Sequence, residues 1–334
     1  MKKILKKLLY IKHLTKEEMF KLMISIGKKK INNSQISSII TAMQIKGIKT
    51  REIHGLIKAS WQLMTKFPKQ KCKYSDIAGT GGDSSNGINV STSSALIAAL
   101  LGFKIIKHCN ESITSASGSS NILRSFNINT YMSKKLSQKM FKNFNICFLN
   151  AQKYNPIFKN VHKVRSELKI RSFFNIAGPL LNPSQPKLGV IGTYNRDIMF
   201  FIAKIIKKMK YKKIFLINSD QTDEATLHAP THFIKIKHNK IQSKLYTPAD
   251  FGVLWRKKKN IKKRTLKDNF KILKKIFKGQ GSNKDNELIA INTAILLKIF
   301  GNKNLKKNTD KSLKIIHSGK IYNFIKNISK IGKI

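Results

Sequence analysis

Acidic residues are scarce in this chain, which has 16 Asp and Glu against 66 Lys and Arg and a formal net charge of +50. Such a charge is typical of proteins that bind nucleic acid or anionic membranes. The lysines, however, run from Lys2 to Lys333 rather than forming one patch, and Ile and Asn are also abundant. This distribution favours a coding bias toward A and T over a dedicated nucleic-acid surface. We therefore expect no nucleic-acid partner, and a carboxylate inside a motif becomes notable.

Cysteines and long apolar runs are also few. Cys72, Cys109 and Cys147 have neither the even number of a disulfide framework nor the spacing of a zinc site. No stretch reaches the roughly 18 uninterrupted apolar residues that a membrane span needs. Lys12 and His13 interrupt the short apolar run near the start, and no small-residue cleavage site follows it. We expect a cytoplasmic protein that does not associate with membranes.

The first part of the chain predicts a small helical domain, over residues 1–70. Apolar residues recur there at three- and four-residue spacing. Thr15 and Glu18 form a capping-box pattern, and Gly47 stands where a helix should stop. This region carries no evident chemistry.

The remainder, residues 71–334, alternates short apolar strands with helices and predicts a larger α/β domain with a mostly parallel central sheet flanked by helices. One strand, "FKIIK", is predicted to end at Lys107. The segment 155–185 contains two proline breaks and is predicted to cross or hinge between the domains. The tail from about residue 303 is predicted to end in one ordered helix, over "SLKIIHSGKIYNFIKNI".

A glycine-rich motif, "DIAGTGGDSSNGINVST" at 76–92, leads into a predicted helix. Glycine-rich turns at the N-termini of helices bind phosphates through backbone N–H groups. A turn with a purely structural role explains the motif equally well. Asp83 inside the motif would repel an anion. Lys107 and Asn110 follow the next strand, so several strand-end loops together suit a polyphosphate.

An adjacent acidic pair, Asp223-Glu224, follows a different strand. Taken alone it is close to chance, since Glu17-Glu18 also occurs at a predicted helix start. On a strand-end loop facing a diphosphate, however, two carboxylates are what Mg²⁺ takes together with phosphate oxygens.

The combination resembles anthranilate phosphoribosyltransferases of the tryptophan pathway over nearly the whole chain. The resemblance is carried, in order, by "LTKEE", "ITAMQIKGIKTREIHGLI", "DIAGTGGD", "NVSTSSA", "KHCN", "SGSSNILRSF", "YNPIFKNVHKVRSELKIRSFFNIAGPLLNP", "TDEATLH" and "NTAILL". It implies transfer of the phosphoribosyl group from 5-phosphoribosyl 1-diphosphate to the amine of anthranilate. It also implies two Mg²⁺ ions per subunit and a homodimer formed through the helical domain.

The resemblance also implies roles for individual residues. The substrate-binding positions are Gly79, Gly82, Asp83, Gly87, Asn89, Val90, Ser91, Thr92, Lys107, His108, Asn110, Ser115, Ser119 and Arg165. Among these, Asn110 and Arg165 match anthranilate-binding residues. The metal ligands are Ser91, Asp223 and Glu224, and the catalytic group is Lys107, Arg165, Asp223 and Glu224. Asp83 is then expected to accept from a ribose hydroxyl or a metal-bound water, since Mg²⁺ neutralises the diphosphate. His108 is expected either to contact substrate or simply to pack.

The chain departs from the family pattern at six positions. Cys109 stands for a glycine, Glu111 for an arginine and Asn155 for a histidine, while Ala116, Asn121 and Gly87 replace a lysine, an aspartate and a hydroxyl residue. Glu111 reverses a charge beside the phosphates, which weakens diphosphate binding unless a nearby lysine pairs with it. Reduced activity is the expectation that follows.

Two other functions fit parts of the pattern. A pyrimidine nucleoside phosphorylase of the same fold would use phosphate and a nucleoside, and Mg²⁺ dependence would distinguish it. A relative that has lost catalysis and binds nucleic acid through its basic surface would show affinity that falls steeply with salt. The acidic pair together with Asn110 and Arg165 favours the transferase.

Overall fold

The computed structural model describes residues 1–81, 87–111, 118–209, 211–258 and 264–332. Its helices are α1 Lys2–Leu9, α2 Lys16–Gly27, α3 Asn33–Lys46, α4 Thr50–Leu63, α5 Val90–Leu100, α6 Ser119–Ser125, α7 Lys134–Phe144, α8 Ala151–Tyr154, α9 Pro156–Leu168, α10 Phe173–Ala177, α11 Arg196–Ile206, α12 Leu266–Phe277, α13 Asn283–Ile299, α14 Leu305–His317 and α15 Lys320–Lys330. Its strands are β1 Ser75–Gly79, β2 Ile105–Cys109, β3 Ile146–Asn150, β4 Leu188–Gly192, β5 Lys213–Asn218, β6 Thr231–Lys237 and β7 Lys240–Tyr246. Short 3₁₀ helices cover Gly178–Leu180 and Pro248–Phe251.

The first four helices form the predicted helical bundle. The capping box at α2 is present, because Glu18 N donates to Thr15 Oγ1 over 3.1 Å and Thr15 N donates to Glu18 Oε2 over 2.7 Å. Helix α3 ends at Lys46 and is followed by Gly47, whose φ of 72° is costly for a side-chain-bearing residue. Both the capping box and the glycine stop were predicted from the sequence.

Helix α9 packs against α2, α3 and α4 although it lies far along the chain. Asn160 Nδ2 donates to the carbonyls of Ile26 and Gly27, at 2.9 and 3.1 Å, and so satisfies acceptors at the end of α2. The segment predicted to cross between domains therefore contributes a helix to the bundle. The domain boundary at 70/71 stays a prediction.

The larger part of the molecule is built on one seven-stranded sheet of order β3-β2-β1-β4-β5-β6-β7. The first five strands are parallel, and β6 and β7 continue the sheet antiparallel. This confirms the predicted mostly parallel α/β architecture. Among the helices of the described residues, none is both long and apolar enough to cross a membrane.

Two hydrophobic cores lie on opposite faces of the sheet. Phe215 and Ile217 of β5 face a core that includes α5 and α13, whereas Ile214 and Leu216 face a core shared with α11 and the helical bundle. The alternation is the period of two expected of a strand. The bundle is thus packed against one face of the sheet.

Two predicted boundaries were wrong. Strand β2 continues past Lys107 to Cys109, because its pairing with β3 extends to the Cys109–Asn150 position. The tail forms two helices rather than one, α14 and α15, which Gly319 separates with a φ of 67°. That left-handed conformation interrupts the helical backbone while leaving the apolar period almost intact.

Candidate active site

A cleft of about 230 Å³ opens where β1, β2, β4 and β5 end. We call it the strand-end cleft and define it by Gly79, Ser91, Lys107, Arg165 and Asp223, which all line it. Because the carboxyl ends of parallel strands lie at one edge of a sheet, loops from distant parts of the sequence meet there. The predicted site is therefore assembled by the topology.

Lys107 lies on β2 with only 2% of its surface exposed. Its Nζ donates to the carbonyl of Ile77 over 2.6 Å and to Ser91 Oγ over 3.4 Å. Burial lowers the pKa of Lys107, and the nearby carboxylates of Asp76, Asp223 and Glu224 oppose that shift. The ammonium is thus held at the first turn of α5, where the helix dipole also favours an anion.

The Asp223 side chain reaches into the glycine turn that follows β1. Its Oδ2 accepts from Gly81 N over 2.7 Å. A Cβ at Gly79 would overlap the Asp223 carboxylate, and a Cβ at Gly192 would overlap its backbone carbonyl. Glycine at these two strand ends is therefore required for the close approach of the acidic loop.

The oxygen atoms available as metal ligands on this side of the cleft suit a hard cation. Asp223 and Glu224 line it together with Ser91, so the available ligands are carboxylate and hydroxyl oxygens. Mg²⁺ prefers oxygen ligands and is commonly held by one or two carboxylates plus the phosphates of a substrate. The residues present therefore fit Mg²⁺.

Arg165, on α9, forms the opposite side of the cleft. Its side chain is 5% exposed, and burial lowers its pKa to about 10, which leaves it charged at neutral pH. The guanidinium lies over the Phe174 ring, with Cζ 5.3 Å from the centroid. Among the described residues no carboxylate lies within 4.0 Å of it, and its Nε has no hydrogen-bond partner. A buried, unbalanced cation of this kind is costly unless a ligand supplies the anion.

Asn175 connects the two sides. Its Oδ1 accepts from Arg165 Nη2 over 3.1 Å, and its Nδ2 donates to the carbonyl of Thr80 over 3.1 Å. Thr80 follows β1 directly, so one amide holds both the guanidinium and the glycine turn. The sequence motif around Asn175 does not by itself indicate this role.

His108 is neutral in this environment. Burial lowers its pKa from 6.5 to about 4. Its Nδ1 lies 3.2 Å from the carbonyl of Gly178, which requires the proton on Nδ1, and its buried Nε2 has no partner among the described residues. His108 therefore presents a hydrogen-bond acceptor in the wall of the cleft.

A buried carboxylate beneath the cleft was also not singled out from the sequence. Asp76 Oδ1 accepts from His108 N over 3.2 Å, and Asp76 Oδ2 accepts from Asn182 Nδ2 over 2.8 Å. Burial raises the pKa of Asp76 to about 6, and Lys107 opposes that rise. Asp76 thus fixes β1, the end of β2 and the crossing segment to one another. An acid within an apolar strand of an acid-poor chain is the signal that points to it.

The architecture matches known proteins along its full length. A family model described as "Glycosyl transferase family, helical bundle domain" matches residues 2–62, and one described as "Glycosyl transferase family, a/b domain" matches residues 71–322. The anthranilate phosphoribosyltransferase of Buchnera aphidicola subsp. Melaphis rhois is 49% identical, over 95% of this chain and 96% of its own. That of subsp. Schizaphis graminum (strain Sg) is 46% identical, over 100% and 99%.

The chain belongs to the anthranilate phosphoribosyltransferase family.

Solved structures of anthranilate phosphoribosyltransferases agree. The Saccharomyces cerevisiae protein in complex with PRPP and Mg superposes with a TM-score of 0.85 at 25% identity, covering 98% of this chain and 96% of that one. The Thermus thermophilus protein, at 21% identity, has a TM-score of 0.83 over 98% of both chains, which shows the shared fold.

Most residues that the family resemblance singled out come together. Those lining the strand-end cleft are Gly79, Asn89, Ser91, Lys107, His108, Asn110, Ser119, Arg165, Asp223 and Glu224. Gly87, Val90 and Thr92 are not among the lining residues, and the side chains of Val90 and Thr92 are buried. Gly82, Asp83 and Ser115 lie outside the described residues, as does Ala116.

Three of the six family departures are accommodated in ways that the sequence did not indicate. Glu111 pairs with Arg124 over 2.6 Å and with His162 over 3.5 Å, so an arginine rather than a lysine balances its charge. Cys109 lies in extended strand backbone, where a side chain is unstrained. Asn155 caps α9 by accepting from Ile157 N over 3.0 Å.

Asn292, on α13, holds the acidic loop of this anthranilate phosphoribosyltransferase relative in place. Its Oδ1 accepts from Ala225 N and its Nδ2 donates to Ala225 O, both over 2.9 Å. Ala225 directly follows the two carboxylates. A single amide within the apolar run "NTAILL" is the signal for such a buried contact.

Replacing Asn292 by Ala is expected to lower stability by about 2 kcal/mol, since buried backbone groups lose their partners. It should also lower kcat/KM about 10- to 100-fold by releasing the carboxylates. Asn308→Ala is the matched control, because Asn308 on α14 likewise donates from its Nδ2 to backbone carbonyls, the buried one of Ala294 and the partly buried one of Asn302. Urea unfolding and steady-state kinetics should show similar stability losses but a kinetic defect only for Asn292→Ala. Equal kinetics in both variants would contradict this role.

The buried neutral His108 predicts acid sensitivity. Its folded pKa is about 4 and its ordinary value 6.5, so between these values only the unfolded chain takes up the proton. Stability due to His108 is therefore present above pH 6.5 and is lost as the pH falls. Asp76, raised from 3.8 to about 6, has the opposite slope between those values. Unfolding at pH 7 and 5 should show that His108→Gln loses about 2 kcal/mol less than wild type. Equal losses would show that His108 is not buried in neutral form.

Proposed function

We propose that this chain transfers the phosphoribosyl group of 5-phosphoribosyl 1-diphosphate to the amine of anthranilate, giving N-(5-phosphoribosyl)anthranilate and diphosphate. The observation that carries the proposal is the pairing of two unlike subsites in one cleft. Lys107, Ser91 and the acidic pair suit a metal-bound diphosphate, and Arg165 opposite them is a buried cation without a carboxylate partner in the described chain.

On the diphosphate side, Lys107 and the first turn of α5 contact phosphate oxygens, with Asn89 and Ser91 at the helix mouth. Gly79, Gly82, Asp83, Gly87, Val90, Thr92, Ser115 and Ser119 complete the proposed substrate-binding set. Ser91, Asp223 and Glu224 hold Mg²⁺, which the yeast relative binds together with PRPP. When bound, the ion neutralises charge on the leaving diphosphate.

On the anthranilate side, the Arg165 fork pairs with the carboxylate of the substrate, since a guanidinium matches a planar carboxylate. Asn110 and His108 line the strand-end cleft and contact the rest of the anthranilate molecule. A yeast relative is known in complex with 4-fluoroanthranilate.

In the reaction, the C–O bond between the anomeric carbon and diphosphate breaks with its electron pair remaining on diphosphate. The lone pair of the amine forms the new C–N bond, and the nitrogen then releases one proton. An aromatic amine is unprotonated at neutral pH, so positioning and charge stabilisation are the main tasks of the protein.

Product identification by mass spectrometry distinguishes this activity from nucleoside phosphorolysis. The protein is incubated with Mg²⁺ and either PRPP plus anthranilate or thymidine plus phosphate. Formation of phosphoribosylanthranilate supports the proposal, and cleavage of thymidine instead would overturn it. The relatives described above are anthranilate phosphoribosyltransferases, and neither the phosphorylase nor the nucleic-acid hypothesis gains support.

Two Mg²⁺ ions per subunit are part of the proposal, because two carboxylates and a hydroxyl are available beside the diphosphate. Titration with Mn²⁺ in the presence of PRPP, followed by electron paramagnetic resonance, counts the bound ions. Saturation at one ion per chain would reduce the site to a single metal.

A homodimer through the helical bundle completes the proposal. Helices α1 and α3 pack together, and Ile45 of α3 is 75% exposed. Leu9, Tyr10 and Ile11, at and just after the end of α1, are 77%, 66% and 64% exposed. Consecutive exposed apolar side chains of this kind mark interfaces. Light scattering should give about twice the chain mass of 38.1 kDa for wild type. The Leu9→Asp, Ile45→Asp variant should be monomeric, whereas Leu254→Asp, at a residue 72% exposed elsewhere, should remain dimeric. A monomeric wild type would contradict the assembly.

A further inference from the structure

A second, larger cleft lies at the opposite edge of the sheet. It measures about 840 Å³ and is lined where β1, β4 and β5 begin, by Tyr74, Leu188 and Lys213 among others. We call it the basal cleft. Among the described residues the two clefts share no lining residue, although Pro179 lines the strand-end cleft and the next residue, Leu180, lines the basal cleft.

The charge of the basal cleft has one sign. Eight of its lining residues are lysines, and none of the described residues that line it is acidic. Lys73, Lys212, Lys213 and Lys237 form no ion pair within 4.0 Å in the described part of the chain. A concave surface lined by one sign of charge focuses its field and concentrates counter-ions.

The pKa of Lys213, which lines the basal cleft, reflects this positive charge. Its pKa is lowered by burial and by the neighbouring lysines Lys235, Lys237, Lys73 and Lys212. These lysines repel one another, and no acidic residue lies among the described lining residues. Binding of an anion would therefore reduce the repulsion between them.

The basal cleft also has apolar lining residues. They include Trp61, Met209, Tyr211 and Phe300, of which Trp61 and Tyr211 are partly exposed. A cleft of this volume with aromatic lining residues has the dimensions of small-molecule sites, and its eight lysines favour an anionic ligand. Inorganic phosphate alone would leave these apolar lining residues without a partner group.

We infer that the basal cleft binds a phosphorylated organic anion of nucleotide size, with its ring against Trp61 and Tyr211 and its phosphates among the lysines. Lysine is a common partner of phosphate groups, and aromatic side chains stack on planar bases. Nucleic acid shares this chemistry but is not favoured, because a bounded cleft rather than an extended groove carries the aromatic surface.

The intrinsic fluorescence of Trp61 tests this inference. The chain has two tryptophans, so a Trp255→Phe background leaves Trp61 as the only reporter. Titration with ATP, tripolyphosphate and adenosine at physiological salt should show that ATP binds at least about tenfold more tightly than either part of it. Equal affinity for ATP and tripolyphosphate would overturn the organic component, and equal affinity for ATP and adenosine would overturn the phosphate component.

Three lysine substitutions locate the site. The triple variant Lys73→Gln, Lys212→Gln, Lys213→Gln should weaken ATP binding at least about tenfold. A triple variant with arginine at the same three positions should bind ATP as wild type does. The matched control changes Lys134, Lys135 and Lys139, three exposed lysines of α7, to Gln and should leave affinity within about twofold. Loss of ATP binding in the control as well, or retention in the Gln variant, would overturn the assignment. Tighter binding of single-stranded RNA than of ATP, lost in the Gln variant, would replace it with a nucleic-acid surface.

Discussion

Replacing Asp223 by Asn and Glu224 by Gln together is expected to lower kcat/KM for phosphoribosyl transfer at least about 1000-fold. The amides keep the size of the side chains but remove two negative charges from the strand-end cleft, so they no longer hold Mg²⁺ beside the leaving diphosphate. Steady-state kinetics over a range of Mg²⁺ concentrations measures the loss, which excess Mg²⁺ should restore only in part.

Asp220→Asn is the matched control for this double variant. Asp220 belongs to the same loop but pairs with His228 over 2.8 Å and with Lys258 over 2.6 Å, and it does not line the strand-end cleft. Its kcat/KM should stay within about threefold of wild type. A double variant that retains a tenth of wild-type activity, or an equal loss in Asp220→Asn, would contradict a metal-binding role.

Arg165→Lys is expected to raise the KM for anthranilate about 10- to 100-fold while the KM for PRPP stays nearly constant. The substitution keeps the charge but removes the bidentate fork, and it also breaks the hydrogen bond to Asn175. The affinity of aniline, which lacks the carboxylate, should be the same for the variant and wild type.

Arg171→Lys serves as the control, because the Arg171 guanidinium lies 4.5 Å from the centroid of the Tyr194 ring and does not line the strand-end cleft. It should leave both KM values unchanged. If Arg165→Lys raised the KM for PRPP as much as that for anthranilate, or weakened aniline equally, the role of Arg165 would be structural.

The location of the candidate site was predictable because it depends on topology. Alternating strands and helices predict a parallel sheet, and motifs at strand ends must then meet at one edge. Lys107 and Ser91 therefore came together with Asp223 as expected, although Asp223 lies far from both in the sequence.

The contacts within the site were harder to predict from the sequence. The glycines at and after the end of β1 suggested a phosphate cradle, yet Gly79 also leaves room for the Asp223 carboxylate, a contact between residues 144 positions apart. Such a contact depends on the register of β1, β4 and β5 rather than on any local pattern. Similarly, the pairing of Glu111 with Arg124 depends on how α6 is placed.

Asn175, Asn292 and Asp76 show the same limit. Each is a polar residue in an apolar element, which indicates a buried hydrogen bond but not its partner. Only the packed structure shows that their partners are Arg165, the acidic loop and the end of β2. Positioning residues are thus the part of this site that sequence patterns identify least well.

The central claim is tested most directly by the loss of anthranilate fluorescence when the purified wild-type chain is mixed with PRPP, anthranilate and Mg²⁺. We predict turnover that requires all three components, stops on addition of a chelator and resumes when Mg²⁺ is restored. Absence of turnover from the folded protein at saturating substrates would contradict the proposed transferase activity and show that the Glu111–Arg124 pair does not preserve a working phosphate site.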